Sequence, residues 1–181
     1  MLQGKLVRLR AVEESDAERF HQWLNDPEVT QFLSTRYPFS LEQEREWVRA
    51  PSQQDGSLKL AIETLDGAHI GGIGLHRRKD RQEAHSAGIG IHIGAKECWA
   101  KGYGTDAILT LLEFAFEEMN LHRVFLSVYE YNERAIRCYE KCGFQHEGRE
   151  REGAFRHGRY WDVLRMSILQ HEWAGRQQSE G

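Results

Sequence analysis

The sequence predicts a single α/β domain of mixed α+β type, in which helices cover both faces of a central twisted sheet. The sheet has about seven strands and is mixed but mostly antiparallel. The 181 residues fit one domain of ordinary size, and 40% of them are hydrophobic, which is enough to bury a core. Apolar residues recur with a period of two or at helical spacing in the order β-α-α-β-β-β-α-β-α-β-β, which excludes pure sandwiches and helix bundles.

The first elements are one strand and two helices. A short strand lies around residues 5–9, where polar and apolar residues alternate. The first helix is predicted to begin with a capping box formed by Ser15 and Glu18, followed by apolar residues at helical spacing. A second helix is predicted to begin at Ser40, with Gln43 three residues later as its capping partner.

Six further strands and two further helices complete the prediction. The strands span residues 58–63, 70–75, 87–93, 123–128, 145–152 and 160–169, and the helices span 105–119 and 133–142. An Asp66–Gly67 turn joins the first two of these strands as a hairpin. The domain is predicted to span residues 1–174, and residues 175–181 are predicted to form a polar tail that frays.

Composition and charge exclude several classes of function. The chain has 24 Lys and Arg against 28 Asp and Glu, so its formal net charge of -4 argues against a general nucleic-acid binder. No apolar stretch approaches the ~20 residues that span a bilayer, and the first residues lack the apolar core of a signal peptide. Cys98, Cys138 and Cys142 contain no CxxC pair, and the histidines are scattered without metal-ligand spacing. We therefore expect a cytoplasmic protein that binds no metal, membrane or nucleic acid.

The segment 99–107, Trp-Ala-Lys-Gly-Tyr-Gly-Thr-Asp-Ala, carries the densest functional signal. It lies between a predicted strand and the longest predicted helix. Gly102 and Gly104 permit unusual backbone angles and allow main-chain amides to come close to a ligand. The following helix points its positive end and free N–H groups into the same loop, which suits a phosphate. A glycine-rich turn before a helix, without a ligand, is the alternative.

The same glycines also satisfy the dinucleotide-binding pattern G-x-G-x-x-A, at residues 102–107. Glu130 stands at the end of the next predicted strand, where a ribose-binding acid is expected. Eight residues separate Ile93 from Gly102, however, whereas the dinucleotide loop follows its strand directly. The preceding strands also form a hairpin series instead of βαβ units, so the sequence disfavours this interpretation.

A second segment, 132–144, predicts an amphipathic helix that begins with Asn132. Ala135, Ile136 and Tyr139 share one stripe of this helix. A tyrosine at such a position is most often a core residue, and this alternative stays open when the segment is taken alone.

In their order and spacing, the two segments resemble the GNAT N-acetyltransferase superfamily, and the resemblance covers nearly the whole chain. Shorter motifs resemble its Rim-type branch, which includes ribosomal-protein N-terminal acetyltransferases and to which spermidine acetyltransferases are similar. These motifs are Asn120–Val124, Asn132–Ala135, Tyr139–Lys141, Gly143–Phe144 and Asp162–Ile168. The resemblance implies a GNAT-like single domain with acetyl-CoA as co-substrate and no metal.

The resemblance also implies which residues bind acetyl-CoA. The glycine loop would hold the pyrophosphate, and the strand before it would splay from its neighbour and bind the pantetheine arm. The implied residues are His92, Ile93, Gly94, Trp99, Ala100, Lys101, Gly102, Tyr103, Gly104, Thr105, Asn132, Arg134, Ala135, Cys138, Tyr139 and Lys141.

For catalysis we expect direct attack of an amine on the thioester while both substrates are bound. A backbone N–H near Ile93 would stabilise the oxyanion, and Tyr139 would donate to the departing sulfur. His92 is a second catalytic candidate, as a proton relay, and an outward-facing strand residue is its alternative.

Two positions depart from the family pattern. Trp99 stands where the loop usually has Gln or Arg, and Gly88 stands where the branch often has a glutamate. Without that base, the acceptor amine has to be neutral before it attacks. An α-amine of pKa ~7.7–8 is about 10–20% neutral at pH 7, whereas a lysine-like amine of pKa ~10.4 is below ~0.1% neutral. Residues 30–40 also contain no acid for a polyamine to bind.

The sequence therefore predicts an acetyl-CoA-dependent N-acetyltransferase whose acceptor is the N-terminal α-amine of a peptide or protein. One alternative is an acetyltransferase for a small amine such as spermidine, another polyamine or an aminoglycoside. The other is a non-catalytic CoA-binding regulatory module. The expected partners are acetyl-CoA and the amine acceptor, and a homodimer is left open.

Overall fold

An eight-stranded sheet forms the centre of the molecule. The computed structural model describes residues 1–51, 57–77 and 85–180. The strands are β1 (Leu2–Gln3), β2 (Val7–Ala11), β3 (Leu58–Thr64), β4 (His69–Arg77), β5 (Ser86–Ile93), β6 (Arg123–Tyr129), β7 (Gln145–Arg156) and β8 (Arg159–Leu169). They lie in the order β1-β2-β3-β4-β5-β6-β8-β7, and β5 and β6 are the parallel pair. This confirms the mixed, mostly antiparallel sheet, with an eighth strand because β1 pairs with β2 at one edge.

Helices lie on both faces of the sheet, as the sequence predicts. In the described residues they are α1 (Ala17–Leu24), α2 (Pro27–Thr30), α3 (Leu41–Arg49), α4 (Tyr103–Glu117), α5 (Glu133–Lys141) and α6 (Gln170–Glu180). A Cβ at Gly72 of β4 would touch Phe20 of α1, whereas the next residue, Ile73, joins a core with Ile108 of α4. We call the side covered by α1–α3 the α1 face and the side covered by α4–α6 the α4 face. None of these helices is both long and apolar enough to cross a bilayer.

The start of α3 follows the prediction. The Ser40 hydroxyl accepts a hydrogen bond from the Gln43 amide (3.2 Å), and the Gln43 side chain accepts one from the Ser40 amide (2.8 Å). This capping box satisfies amides that the first turn of a helix otherwise leaves unpaired.

The predicted capping box between Ser15 and Glu18 is wrong. Asp16 instead accepts a hydrogen bond from the Glu13 amide (2.8 Å), at the start of a short 3-10 helix that runs into α1. The Asp16 carboxylate also pairs with Arg10 of β2 (2.7 Å). Because Arg10 reaches this carboxylate from the neighbouring strand, the local four-residue pattern alone could not identify the capping residue.

The sequence patterns do not predict α2 or α6. Asp26 caps α2 through its side chain, and Pro27 is the first helical residue. α6 includes residues 175–180 of the predicted polar tail, and its buried Trp173 packs with its ring 6.0 Å from that of Phe116. One helix is very short and the other is mostly polar, so helical periodicity does not reveal them. The domain limit at residue 174 stays a prediction.

The main apolar core lies between the sheet and the helices of the α4 face. Ile108, Leu111 and Leu112 of α4 are almost fully buried, in one cluster with Met166 and Ile168 of β8. Full burial of such a side chain contributes roughly 1.5–3 kcal/mol. This core holds α4 in place across the sheet and thereby positions the glycine loop that precedes it.

The parallel strands β5 and β6 diverge at one end. Their pairing covers Ser86–Gly88 on β5 and Arg123–Phe125 on β6. Beyond it, β5 continues to Ile93 beside β4, and β6 continues to Tyr129 beside β8, so a gap opens between the two strands. The splayed strand that the resemblance implies is therefore present, and the gap begins just after Gly88.

Candidate active site

A cavity of about 420 Å³ lies in the gap between β5 and β6. It is bounded by both strands, the loop before α4, the start of α4, the whole length of α5 and the segment after α2. Most residues predicted to bind acetyl-CoA line this cavity, namely His92, Ile93, Trp99, Ala100, Gly102, Tyr103, Gly104, Thr105, Asn132, Arg134, Ala135, Cys138, Tyr139 and Lys141. Gly94 and Lys101 do not line it, and a Cβ on Gly94 would collide with the Trp23 indole. The structure thus brings two distant sequence segments together, while their role in binding stays a prediction.

The N-terminus of α4 opens into the cavity. Gly102 is its N-cap residue and has a φ of 88°, a left-handed conformation that favours glycine. No side chain of the described residues caps this first turn, so its main-chain N–H groups are available to a ligand. A Cβ added to Gly104 would have the Ile93 side chain as its neighbour, at 3.9 Å. Free amides and the positive end of the helix together suit a diphosphate.

Asp106, also in the first turn of α4, forms hydrogen bonds outside the cavity. Its carboxylate accepts hydrogen bonds from the amides of Lys5 (3.1 Å), Leu6 (2.7 Å) and Val7 (3.0 Å). These bonds tie the start of β2 to the start of α4. Sequence patterns do not reveal this contact, because the partners are 99 to 101 residues apart.

Trp99 connects the glycine loop to the end of β5. Its indole N–H donates a hydrogen bond to the Ile93 carbonyl (2.7 Å). The Arg134 guanidinium of α5 lies 4.3 Å from the centre of the Trp99 ring and 5.7 Å from that of Phe32. Such cation–π contacts hold a cation in place while leaving its N–H groups free to bind an anion. Trp99 therefore connects the glycine loop, the end of β5 and α5, which form three sides of the cavity.

The charged side chains that line the cavity are all basic. They are Arg134, Arg137 and Lys141, all on α5, and no acidic side chain of the described residues lines it. Arg137, which the sequence analysis missed, forms an ion pair with Glu133 (3.3 Å). A cluster of cations next to an uncapped helix N-terminus attracts a ligand that carries several phosphates.

The acid-free segment after α2 closes one side of the cavity. Phe32 and Leu33 contribute to its lining. The Tyr131 hydroxyl donates a hydrogen bond to the Gln31 carbonyl (2.6 Å), and Arg156 donates one to the Leu33 carbonyl (2.5 Å). These bonds anchor the segment to the end of β6 and to the β7–β8 hairpin.

Asn132 and Tyr139 occupy the first and last turns of α5. The Asn132 side chain caps the helix by accepting a hydrogen bond from the Ala135 amide (3.2 Å). The Tyr139 ring packs edge-on against Phe144, with ring centres 5.8 Å apart. Burial raises the pKa of the Tyr139 phenol above its usual value near 10, so the hydroxyl carries its proton at neutral pH.

Cys138 lies between α5 and the first turn of α4. Its sulfur is 3.2 Å from the Thr105 hydroxyl, and the Cys142 thiol donates a long hydrogen bond to the Thr105 carbonyl (3.8 Å). Hydrogen bonds from Cys142 and from Thr105 lower the pKa of Cys138 to about 7, although burial of the thiol acts in the opposite direction. Cys138 thereby joins α4 and α5, the two helices that carry many of the residues predicted to bind acetyl-CoA.

His92 projects from β5 to the α1 face. Its ring packs on Phe20 (5.7 Å between ring centres) and covers Gly72 of β4. The Nε2 atom is buried without a hydrogen-bond partner among the described residues. Burial, reinforced by nearby His69, lowers the pKa of His92 to about 4, so the imidazole is neutral at physiological pH.

A second cavity, of about 480 Å³, lies on the α1 face and shares His92 with the first. Trp47, Lys59, Gly74, His76 and Gly90 are among the residues that line it, and no acidic side chain of the described residues does. The sequence analysis did not identify this cavity. The alternation of glycine in the two strands was visible, but the strand pairing that aligns these positions was not.

The described residues contain no group of three or more His, Cys, Asp or Glu side chains placed to hold a metal ion.

The chain matches a family model described as an acetyltransferase (GNAT) domain over residues 7–145. A spermidine N(1)-acetyltransferase of Vibrio cholerae is 29% identical over 170 residues, which cover 94% of this chain and 96% of that protein. A putative ribosomal N-acetyltransferase of Bacillus subtilis, YdaF, is 32% identical over 175 residues, which cover 93% of this chain and 94% of that protein.

The fold is also found among solved structures. A crystal structure of spermidine N-acetyltransferase from Vibrio cholerae in complex with CoA and spermine superposes with a TM-score of 0.84. The two chains are 30% identical, and the match covers 93% of this chain and 98% of that one.

Proposed function

We propose that the acceptor of this enzyme is the α-amine at the N-terminus of a peptide or protein. The chain belongs to the acetyltransferase (GNAT) domain family and is an acetyl-CoA-dependent N-acetyltransferase. One observation carries the proposal: no acidic side chain of the described residues lines either cavity, whereas Lys59, Arg134, Arg137 and Lys141 do. A polyamine keeps several positive charges and meets no opposite charge there.

Spermidine is the second candidate acceptor, because it is the substrate named for the Vibrio cholerae relative. Membership of an enzyme family replaces the alternative of a non-catalytic CoA-binding module. The cytoplasmic location and the homodimer stay predictions.

The residues of the first cavity fit the chemistry of acetyl-CoA, which supplies a thioester-bound acetyl group. The uncapped first turn of α4, from Gly102 to Thr105, would bind the diphosphate through main-chain N–H groups. Arg134 and Lys141, which both line the cavity, would bind phosphate oxygens. Tyr139 lies on the same helix and carries its proton into the reaction.

Main-chain N–H groups near the end of β5 are placed where they would bind and polarise the carbonyl of the thioester. The Gly94 amide donates a hydrogen bond to the Ile70 carbonyl of β4 (2.9 Å). Because main-chain groups alternate in direction along an antiparallel strand, those of Ile91 and Ile93 point away from β4, into the gap. The Ile93 carbonyl already binds Trp99. The N–H groups of Ile91 and Ile93 are therefore the donors that β5 offers to the substrate carbonyl.

Tyr139 would act on the departing sulfur as a hydrogen-bond donor. Full proton transfer to a thiolate of pKa ~8.5 is already uphill for a phenol of pKa ~10, by about 2 kcal/mol. Burial raises the pKa of Tyr139 further, which makes complete transfer less favourable before the sulfur carries its full charge. Donation without complete transfer still stabilises the developing negative charge.

The acceptor has to arrive with a neutral amine, since no carboxylate of the described residues lines the route to the gap. An α-amine of pKa ~7.7–8 meets this condition at pH 7 for about 10–20% of molecules. The neutral His92 imidazole, with its unpartnered Nε2, would accept a hydrogen bond from the amine and hold its lone pair toward the thioester.

Release of the CoA thiol with a panel of amines tests this proposal. The panel pairs a peptide with a free N-terminus against the same peptide with a capped N-terminus and an internal lysine, and adds spermidine. We expect the free peptide to exceed spermidine at least roughly tenfold in kcat/KM at pH 7, from the neutral fractions alone. The capped peptide should be inactive. Preference for spermidine at neutral pH would contradict the α-amine proposal and support the second candidate.

A further inference from the structure

The second cavity has a floor made of glycine. Gly72 and Gly74 of β4 and Gly90 of β5 line it, with the Trp47 side chain of α3 at one wall. Gly74 and Gly90 are cross-strand neighbours, and Gly72 pairs with His92. Strands on this face therefore present bare main chain where side chains would otherwise stand. Glycine inside a strand often marks a close approach of a ligand or of another backbone.

Gly90 differs from the other glycines of this surface. A Cβ at Gly74 would collide with the Leu58 carbonyl, and one at Gly88 would collide with the His76 ring. A Cβ at Gly90 has no heavy atom within 4 Å, and the residue is exposed. Packing within the described residues therefore does not require glycine at position 90, and the open space above it belongs to the cavity.

The two ends of the cavity carry different histidines. His92 stands at the inner end, where it also lines the first cavity. His76 stands at the outer end, where its ring covers Gly88 and contacts Phe125, with ring centres 6.2 Å apart. The five strand residues from Gly88 to His92 are separated by four steps, which span roughly 13 Å. An extended peptide of about four residues has the same length.

The polar groups of the cavity suit a peptide. Lys59 lies beside Trp47 and donates hydrogen bonds to the main-chain carbonyls of Trp47 and Val48 (3.1 Å for Val48). An ammonium group has three donors, so one remains for a peptide carbonyl. The other titratable residues that line the cavity are His76 and His92, and burial lowers the pKa of both. The lining thus offers hydrogen bonds to a neutral chain and no acidic side chain to a second cation, and the Glu44 carboxylate outside the lining already acts on Lys59.

We propose that this cavity binds the first residues of the acceptor peptide in an extended conformation. The N-terminal amine lies at His92, and the main chain crosses Gly90 toward His76. This inference rests on the proposed function and extends it, because it predicts that the enzyme reads about four residues of its substrate. It also explains an exposed glycine at the centre of a strand.

Kinetics with alanine peptide amides of increasing length test the proposal. We expect kcat/KM of the native enzyme to rise with length up to about four residues and then to level off. Gly90→Val places a β-branched side chain in the open space, where a strand tolerates it well. This variant should lower kcat/KM for the tetrapeptide at least about tenfold, remove most of the dependence on length, and keep the dissociation constant of acetyl-CoA within about twofold.

Gly148→Val is the matched control. Gly148 also lies in a strand with no heavy atom within 4 Å of an added Cβ, but it lines neither cavity. It should match the native enzyme with every peptide. A length-independent kcat/KM in the native enzyme, or unchanged tetrapeptide kinetics in a folded Gly90→Val variant, would overturn the inference while peptide acetylation itself persists. Absence of peptide acetylation in the native enzyme would instead overturn the proposed function.

Discussion

The two faces of the sheet differ in what their side chains do. On the α4 face, Val124, Leu126 and Val128 of β6 are buried in the main core. On the α1 face, a separate cluster of Ala17, Phe20 and Val48 is buried, and the neighbouring part of the face is open above the glycine floor. One face holds the fold together and keeps α4 in place, whose N-terminus we propose binds the diphosphate. The other face contains the open space that we propose binds the acceptor.

β5 takes part in both faces, residue by residue. Ile89 and Ile91 point to the α4 face and pack with the main core, whereas Gly90 and His92 point to the α1 face. Substitutions at alternate residues of β5 therefore lie on opposite faces of the sheet, and we expect them to affect the binding of different substrates. An effect on the binding of acetyl-CoA can therefore be separated from an effect on the acceptor.

The largest effect is expected from Gly104→Val, on the α4 side of the gap. The added side chain has room beside Ile93, so the fold should persist, but it occupies the space that a diphosphate needs next to the first-turn amides. We expect the dissociation constant of acetyl-CoA, measured by calorimetry, to rise at least about a hundredfold. Gly175→Val, in α6 and outside both cavities, is the control. Native affinity in folded Gly104→Val would refute the assignment of the helix N-terminus.

The sequence predicts the local structure of this half of the candidate site because its signals are contiguous. The glycines at 102 and 104 stand next to the helix they precede, and the spacing of Ile108 and Leu111 identifies the buried side of that helix. The capping box at Ser40 is local in the same way and is also correct. The contact of Asp106 with the start of β2 was missed, because it depends on tertiary packing.

The α1 face is much less predictable. The covering of Gly88 by His76 results from the register of β4 and β5, which pairs these two residues, and no local pattern encodes it. The wrong capping box at Ser15 has a different cause, since the neighbouring Asp16, which pairs with Arg10 of β2, accepts the hydrogen bond from the Glu13 amide instead. Polar residues that meet through strand pairing leave no periodic signal in the sequence.

The second largest effect concerns pH and the acceptor. Burial lowers the pKa of His92 to about 4, so this group does not change its charge between pH 6 and 8. The acceptor's own ionisation then controls kcat/KM, which should rise about tenfold per pH unit and level off near the α-amine pKa of ~7.7–8. The measurement uses saturating acetyl-CoA at every pH, because the Cys138 thiol that lines its cavity has a pKa of about 7 and changes charge over this range. An inflection near 6.5 would show that a histidine, not the acceptor, controls the rate.

Tyr139→Phe should have a smaller effect, a decrease in kcat that does not come from the binding of either substrate. The variant keeps the packing of the ring against Phe144 and removes the hydroxyl that would donate to the sulfur. We expect kcat to fall at least about tenfold, or about 1.4 kcal/mol, with acetyl-CoA affinity within about twofold. Tyr160→Phe makes the same change on an exposed ring outside both cavities and should be silent. Native turnover in Tyr139→Phe would make Tyr139 a packing residue.

The smallest effect is expected from His76→Glu, which puts an acid into the acid-free cavity of the α1 face. The His76 ring is exposed to solvent on one side and packs on Gly88 and Phe125 on the other, so the melting temperature of the variant is compared with that of the native protein first. A partly solvated charge pair contributes up to about 1 kcal/mol, so the ratio of kcat/KM for spermidine to that for the peptide should rise roughly two- to fivefold. Salt should weaken this gain, because exposed charges are screened.

His171→Glu makes the same substitution at an exposed position of α6 that lines neither cavity. It should leave the ratio for the two acceptors unchanged, which separates a local effect from a change in net charge. An equal ratio in the His76→Glu and His171→Glu variants would mean that the acceptor's charge is read elsewhere. The absence of acids around the second cavity would then no longer account for a preference between peptide and polyamine.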